Sequence, residues 1–209
     1  DMKNDRQVTM PAGAPVQEGA GSVWCGYCDG SMFLVRDGEL TADGKGGLYV
    51  QDIYTNQFQL LEKDADEDGF WGFVTNEKQA YYLAGNEVKR YCSGMKQAET
   101  YITEEQLVKA EEAAGYRAFS LEICALYLDD TTLYILAKEK EREFPDMVFS
   151  CKLQEKCQVK FENKLFDSVE DGDFEGELRI ERIVDGECLL HRWADDESDG
   201  LICFDLVAG

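Results

Sequence analysis

Residues 123–136 read ICALYLDDTTLYIL, two runs of β-branched, aromatic and aliphatic residues on either side of a short polar turn. Runs of this composition are typical of strands, and the acidic turn between them predicts a β-hairpin. Comparable strand pairs recur along the chain, each divided by an acidic or amide turn. The four turns are Asp29-Gly30, Asn76-Glu77, Asp129-Asp130 and Asp185-Gly186. The sequence therefore predicts an all-β chain of short antiparallel strands.

The strand pairs repeat at a nearly constant spacing. Phe33, Tyr82, Tyr134 and Leu190 occupy equivalent places in the second strand of each pair, and they are 49, 52 and 56 residues apart. A third strand follows each pair, and a fourth is recognisable in two units, at residues 58–61 and 159–161. A four-stranded meander cannot cover its own apolar faces, so such units stack face to face. The period predicts a β-propeller-like fold of about four blades, with a β-sandwich or open barrel as the alternative.

The repeated unit resembles that of β-propeller proteins, in particular the propeller-like exported proteins and lipoproteins of bacteria. The segments that carry the resemblance are residues 47–52 (GLYVQD), 79–83 (QAYYL) and 132–135 (TLYI). The resemblance covers most of residues 22–206. It implies a propeller-like domain in an exported protein, extracellular or at the cell surface.

Two segments differ from the strand pattern. Residues 1–21 hold two of the three prolines and few large apolar groups, which predicts an N-terminal tether after an export signal or lipid anchor. The alternative for this segment is a ring-closing strand near residues 6–10. Residues 104–114 are predicted to form one inserted helix, because Thr103 and Gln106 make a capping box and Gly115 is a natural stop. Residues 22–209 are otherwise expected to be a single domain.

The charge of the chain limits its partners. Lys and Arg number 21 against 43 Asp and Glu, a formal net charge of -22. A field of this sign repels phosphate backbones, so neither nucleic acid nor an anionic membrane surface is an expected partner. No apolar run of about 18 residues occurs, so no membrane span is predicted, although a lipid anchor is compatible with the tether. The single histidine, His191, rules out a zinc site built on several histidines.

The eight cysteines are expected to be mostly free, buried thiols, because five of them lie among strand-like apolar residues. Those five are Cys92, Cys124, Cys151, Cys188 and Cys203. Residues 24–28 (WCGYC) resemble the active site of thioredoxin-like oxidoreductases, in which a helix begins at the first cysteine and lowers its pKa. Here a turn and a strand follow Cys28, so the sequence favours two cysteines on one strand. A thiol–disulfide protein using Cys25 and Cys28 remains an alternative.

Residues 64–69 (DADEDG) match the start of a calcium-binding loop. Alternate carboxylates point inward in such loops, and the glycine permits a sharp turn. Asp64, Asp66 and Asp68 are therefore the candidate calcium ligands, and no other cofactor is expected. The twelfth position is Thr75 instead of a bidentate Glu, which predicts weak affinity. The acidic loop at residues 195–200 has similar spacing. Both loops are also compatible with solvated turns in an acidic protein.

No catalytic motif is present, so no catalytic residue is assigned and a non-enzymatic function is favoured over an enzymatic one. The expected function is a binding or interaction module for a protein, peptide or glycan. The alternative is an enzyme that acts on glycans or another small substrate through carboxylates at the propeller axis. That alternative requires two converging carboxylates and at least one perturbed pKa.

Overall fold

The computed structural model describes residues 22–36, 46–63, 72–117, 119–129, 131–142, 145–153, 157–164, 177–184, 186–194 and 197–206. Within these residues the strands form four separate antiparallel sheets, and strands are neighbours in the order of the chain. The first sheet contains β1 (Ser22–Cys28), β2 (Ser31–Arg36), β3 (Gly47–Asp52) and β4 (Phe58–Lys63). The second contains β5 (Phe73–Thr75), β6 (Gln79–Ala84), β7 (Glu87–Cys92) and β8 (Glu99–Thr103).

Helix α1 (Glu104–Ala113) lies between the second and third sheets in the chain. The third sheet contains β9 (Leu121–Asp129), β10 (Thr132–Glu139), β11 (Met147–Lys152) and β12 (Val159–Lys164). The fourth contains three described strands, β13 (Glu177–Val184), β14 (Glu187–Ala194) and β15 (Glu197–Asp205). Each sheet is a meander of the kind that forms a propeller blade. The predicted all-β fold of repeated blade-like units with one helix is confirmed, and the strands do not join into a single barrel within the described residues.

The predicted repeat positions are equivalent in the structure. Phe33, Tyr82, Tyr134 and Leu190 lie in β2, β6, β10 and β14, the second strand of each sheet. The sequence did not reveal β8, the fourth strand of the second sheet, because its five residues run directly into the capping box of α1. The tether or ring-closing strand expected in residues 1–21 lies outside the described residues.

The chain divides into two compact units. The first contains the described residues up to Ala84 together with Lys89–Thr100. Its core joins side chains of the first and second sheets. Phe33 is fully buried at the centre, with its ring 5.2 Å from that of Phe73 and 5.6 Å from that of Tyr91. Gly26 belongs to this packing, since a Cβ atom there would lie 2.9 Å from the Phe73 ring.

The second unit holds Gly85–Val88 and the described residues from Tyr101 onward. Its core joins the third and fourth sheets through Tyr134, Leu136 and Val148 on one side and Ile183 and Cys188 on the other. All five side chains are at least nine-tenths buried. In each core an apolar face of one meander is thus covered by another sheet, as the repeat predicts.

Helix α1 begins as predicted and ends one residue earlier, at Ala113. The backbone N–H of Thr103 donates to Oε1 of Gln106 over 2.8 Å, which forms half of the capping box. Gly115 follows the helix with a φ of 93°, a conformation that favours glycine. The helix packs mainly against β12, an edge strand of the third sheet, with Leu107 fully buried. The helix thus covers an edge of the third sheet.

Asn86, in the turn between β6 and β7, makes a polar junction with α1 and β9. Its side-chain amide donates to the carbonyl of Leu121 over 2.8 Å and accepts from the N–H of Ile123 over 2.8 Å. The same amide donates to Oε2 of Glu104 over 2.9 Å. Glu104 also accepts from the hydroxyl of Ser120 and the N–H of Leu121. The side-chain amide of Asn86 therefore makes the pair of hydrogen bonds to the β9 backbone that a residue of a neighbouring strand would make.

Cys151 forms a disulfide bond with Cys157, so the expectation that Cys151 is a free thiol is wrong. Cys151 is the penultimate residue of β11, beside its partner strand β12, and Cys157 lies two residues before β12 begins, so the bond closes this hairpin. A strand-like sequence around Cys151 indicates burial but carries no information on a partner six residues away. Among the other described cysteines, Cys28 and Cys188 are fully buried, whereas Cys25, Cys92 and Cys124 are partly buried.

In the part of the chain that the structure describes, no helix has the length and apolar character needed to cross a membrane.

We expect Asn86→Asp to lower the free energy of unfolding by about 2–4 kcal/mol. The substitution removes the donors to Leu121 and Glu104 and places a second carboxylate against Glu104. Asn76→Asp is the matched control, because Asn76 accepts through Oδ1 from the N–H groups of Lys78 and Gln79, a role that Asp also fills. Urea denaturation of both variants makes the comparison, and equal effects would contradict this account of the junction.

We expect Cys157→Ser to lower the free energy of unfolding by about 2 kcal/mol, because the bond closes a short loop in the unfolded chain. A reducing agent should bring the wild-type protein to the stability of the variant and leave the variant unchanged. Thermal unfolding with and without reductant measures this. A wild-type protein that is indifferent to the reductant would show that the hairpin gains nothing from the bond.

Candidate functional site

Two turns meet at one end of the first sheet. The β1–β2 turn contains Asp29 and Gly30, which have φ values of 39° and 77°. The segment after β3 is held to this turn, because the N–H of Ile53 donates to the carbonyl of Gly30 over 2.9 Å. A Cβ atom on Gly30 would lie 2.6 Å from the ring of Tyr54. Both the backbone conformation and the close approach of Tyr54 therefore require glycine at position 30.

Tyrosine side chains flank Gly30 and face solvent. The hydroxyl of Tyr27 accepts a hydrogen bond from the N–H of Gly30 over 3.0 Å. Tyr27 is 49% exposed and Tyr54 is 59% exposed, although both are large and amphipathic. Together with the exposed Asp29 and Asp52 they form what we name the tyrosine turn surface: Tyr27, Asp29, Gly30, Asp52 and Tyr54.

The carboxylate of Asp52 fixes the backbone on which Tyr54 stands. Its Oδ1 accepts from the N–H groups of Tyr54, over 2.8 Å, and Thr55, over 2.9 Å. These bonds, that from Thr55 first, hold the pKa of Asp52 below its usual value. The turn is closed by the N–H of Asn56, which donates to the carbonyl of Asp52. Tyr54 is thus presented by a pre-formed turn that carries a negative charge at neutral pH.

The other exposed aromatic side chains of the described residues lie after α1 and are paired with cations of the chain itself. Tyr116 is 40% exposed, and the ammonium of Lys164 lies 5.1 Å from its ring centre. Phe119 is 49% exposed, and the guanidinium of Arg117 lies 5.2 Å from its ring centre. Tyr116 also packs against Phe161 with ring centres 5.0 Å apart. Their position and contacts make these rings part of the helix-to-sheet connection.

A second group of charged side chains lies around Glu111 of α1 and extends from this fully buried residue to the half-exposed Arg142. We name it the buried acidic cluster: Glu111, Glu139, Asp146, Arg142 and Lys164. The ammonium of Lys164 lies 3.8 Å from Glu111 and 4.0 Å from Glu139. Arg142 pairs with Asp146 at 2.9 Å and with Glu139 at 3.8 Å. This cluster was not predicted from the sequence. The sequence does contain an indication that Glu111 is buried, because this residue follows Leu107 by four positions and so lies on the same, buried side of the helix.

Burial of this cluster perturbs two of its carboxyl groups. Glu111 is fully buried, and neither of its carboxylate oxygens has a hydrogen-bond partner among the described residues. Asp146 is 4% exposed, and its Oδ1 is likewise unpartnered there. Desolvation raises the pKa of both groups against the opposing charge of Lys164. The cluster has the converging carboxylates and shifted pKa values that a hydrolytic site requires, but a substrate has no access to Glu111 in this arrangement.

The cysteine pair of the thiol–disulfide alternative lies on one strand, β1, as the sequence favoured. Burial raises the pKa of the Cys25 thiol to about 11. Burial, together with the neighbouring Cys92 and Asp29, raises that of Cys28 to about 12. A redox-active cysteine requires the opposite shift, because the thiolate is the nucleophile. The geometry and the pKa shifts therefore argue against a redox role.

The candidate calcium ligands Asp64, Asp66 and Asp68 lie outside the described residues, so calcium binding there stays a prediction. In the second acidic segment, Glu197 pairs with Ala194 and begins β15. Residues 197–200 therefore belong to a strand, and the expectation of a six-residue acidic loop there is wrong. His191 lies in β14, the middle of the three described strands. No group of three or more His, Cys, Asp or Glu side chains within the described ranges is arranged to hold a metal ion.

Sequence comparison gives no relatives: no protein-family model matches the chain, and no curated protein matches it. Among solved structures, a chain from a study of two prolyl endopeptidases and their inter-domain dynamics is similar, with 8% sequence identity and a TM-score of 0.44. The match covers 89% of this chain and 28% of the length of that protein. At this similarity no residue role or activity is carried over. The class that the structure itself defines is an all-β protein of repeated blade-like sheets.

We expect Glu111→Gln to gain stability relative to the wild-type protein as the pH rises from about 4 to 7. The pKa of Glu111 is raised on folding, so its contribution is complete below its unfolded pKa of about 4.3 and is lost as the pH rises through the higher folded value. At pH 7 the difference should approach about 1–3 kcal/mol, the usual cost of an unsatisfied buried polar group.

Glu112→Gln is the matched control, since Glu112 is the next residue of the helix and is exposed. Its stability relative to the wild-type protein should change little over the same pH range. Urea denaturation at pH 4, 5, 6 and 7 measures both variants. Parallel pH profiles for Glu111→Gln and the wild-type protein would contradict the burial of a charge at position 111.

Proposed function

We propose that the chain is a non-enzymatic binding module and that its ligand binds at the tyrosine turn surface. The observation that carries this proposal is the exposure of Tyr27 and Tyr54 around Gly30. Tyr side chains with a wet polar end and a large apolar ring are typical of recognition surfaces, since they supply contact area at low cost in conformational entropy.

The rigidity of the turn supports the proposal. Asp52 anchors the backbone of Tyr54, the hydroxyl of Tyr27 is bonded to Gly30, and Ile53 is bonded to the same glycine. A pre-formed surface loses little freedom when a ligand binds, which improves affinity without further contacts. Since turns on a rigid sheet carry binding residues in many folds, the position at the end of the first sheet also fits this function.

The enzymatic alternative has weaker support. The carboxylates with raised pKa values, Glu111 in α1 and Asp146, are at least nine-tenths buried. Carboxylates that are closed from solvent cannot contact a glycan or another substrate in this arrangement. The thiol–disulfide alternative is weakened by the raised pKa values of Cys25 and Cys28.

We also propose that the protein acts outside the cell or at the cell surface. The disulfide bond between Cys151 and Cys157 supports this, because such bonds persist in oxidising compartments. The acidic surface charge is compatible with that setting. Fractionation of cells that express the protein from its own gene tests the proposal, and recovery of the protein only from the cytosol would overturn it.

Titrations monitored by backbone amide NMR test the binding surface. The probes are a tetralysine peptide, a tetraglutamate peptide and a neutral oligosaccharide. We expect at least one probe to shift the resonances of Tyr27, Gly30 and Tyr54, and Tyr54→Ala to weaken that binding at least threefold. Phe119→Ala is the control for an exposed aromatic residue elsewhere and should leave binding unchanged. If no probe shifts these resonances, or if the shifts map to another surface, the proposal is overturned.

A further inference from the structure

We infer that the last turn of α1, residues 110–113, is a pH-sensitive switch. It is docked on the third sheet when Glu111 is protonated and is released when Glu111 is ionised. This inference does not depend on the proposed binding function. It follows from the position of Glu111 in the helix, from the balance of charges around it, and from the way the two ends of the helix are held.

Glu111 lies at the contact between α1 and β12. Its side chain is fully buried, and neither carboxylate oxygen has a hydrogen-bond partner among the described residues. The other buried residue of the helix is Leu107, one turn earlier. The helix is thus docked through one apolar and one ionisable side chain. A change in the charge of Glu111 therefore acts directly on the docking of the helix.

The charges of the buried acidic cluster do not balance when every member is ionised. The cluster contains three carboxylates and two cations. Arg142 is paired with Asp146 and Glu139. The ammonium of Lys164 is shared between Glu111, at 3.8 Å, and Glu139, at 4.0 Å, and both distances exceed that of a hydrogen bond. One negative charge is in excess, and protonation of Glu111 removes it.

Charged groups on the neighbouring elements do not supply the missing cation. Glu112 of the helix itself adds a like charge. Glu122 of β9, the other strand that the helix contacts, is paired with Lys138 at 3.5 Å. Desolvation of Glu111 exceeds the attraction of Lys164, so the pKa of Glu111 is raised. The docked helix therefore favours the protonated form of this residue.

The two ends of α1 are held differently. The first turn is tied to β9, because Glu104 accepts from the N–H of Leu121 and from the amide of Asn86. The last turn meets the third sheet through Glu111, and the segment after it does so through Tyr116, whose ring packs 5.0 Å from that of Phe161. The helix thus has one end that polar bonds fix and one end whose docking depends on a titrating group.

The direction of the switch follows from proton linkage. When the last turn is released into water, Glu111 has its ordinary pKa of about 4.3, which is lower than its pKa in the docked helix. Docking is therefore most favourable below that pH. It weakens by up to about tenfold per pH unit as the pH rises toward the docked pKa, and the dependence then levels off. Acid closes the switch, and a rise in pH opens it.

Amide hydrogen exchange measured by NMR from about pH 4 to 8 tests the switch, with each rate divided by that of the unstructured chain at the same pH. The amides of Ala114 and Tyr116 report on the last turn, because they donate to the carbonyls of Ala110 and Glu111. The amide of Ile123, which donates to Asn86, reports on the fixed end. We expect protection of the last turn to fall about threefold or more between pH 4 and 7, and to stay below that of Ile123 throughout.

Variants of two adjacent residues identify the group responsible. Glu111→Gln and Glu111→Leu both remove the titrating carboxyl, one with a polar and one with an apolar side chain of similar size. In each variant the protection of Ala114 and Tyr116 should be constant over the same pH range. Glu112→Gln is the matched control, because Glu112 is exposed, and it should retain the pH dependence of the wild-type protein.

Two results would overturn the switch. The first is a protection of the last turn that does not change with pH, or that changes equally in Glu111→Gln and the wild-type protein. The second is equal protection of Tyr116 and Ile123 at every pH, which would show that the helix opens only together with β9. Neither result bears on the tyrosine turn surface, which is tested by its own ligand titrations.

Discussion

The structure depends on a single constraint, which is the need to cover the faces of four-stranded meanders. A single sheet cannot bury both of its faces within itself, and each apolar side chain removed from water contributes about 1.5–3 kcal/mol. In the first unit Phe33 meets this need between two sheets, and in the second unit Tyr134 and Leu136 face Ile183. The sequence repeats because each sheet needs a similar set of apolar residues to meet this requirement.

The fold was therefore accessible from the sequence to a large extent. The equivalence of Phe33, Tyr82 and Tyr134 in β2, β6 and β10 follows from alternation and spacing, which are local properties of the chain. Strand β8 was missed because its five residues are too few to establish a period before the helix begins. The partner of Cys151 was missed because disulfide connectivity depends on positions in space, and the spacing of cysteines in the sequence does not determine it.

The candidate site could be predicted from the sequence to a much smaller extent. Ten tyrosines are present, and a strand-rich sequence places most of them in cores, so composition does not single out Tyr27 and Tyr54. Their proposed role rests on their contacts with Gly30. The sequence predicts the Asp29-Gly30 turn but does not indicate that a second turn lies beside it. Glu111 illustrates the same limit. Its spacing from Leu107 places it on the buried side of a helix, but only the fold reveals which strands close over it.

The amide of Asn86 has a consequence for how the third sheet meets other molecules. Strand β9 lies at an edge of that sheet, and an open edge is a template for pairing with another chain. By bonding the carbonyl of Leu121 and the N–H of Ile123, Asn86 occupies the two groups with which an incoming strand would begin its ladder. Asn86 thus blocks this edge against pairing with a strand of another chain. Such protection against edge-to-edge aggregation matters in a protein that contains several short sheets, each with two edges.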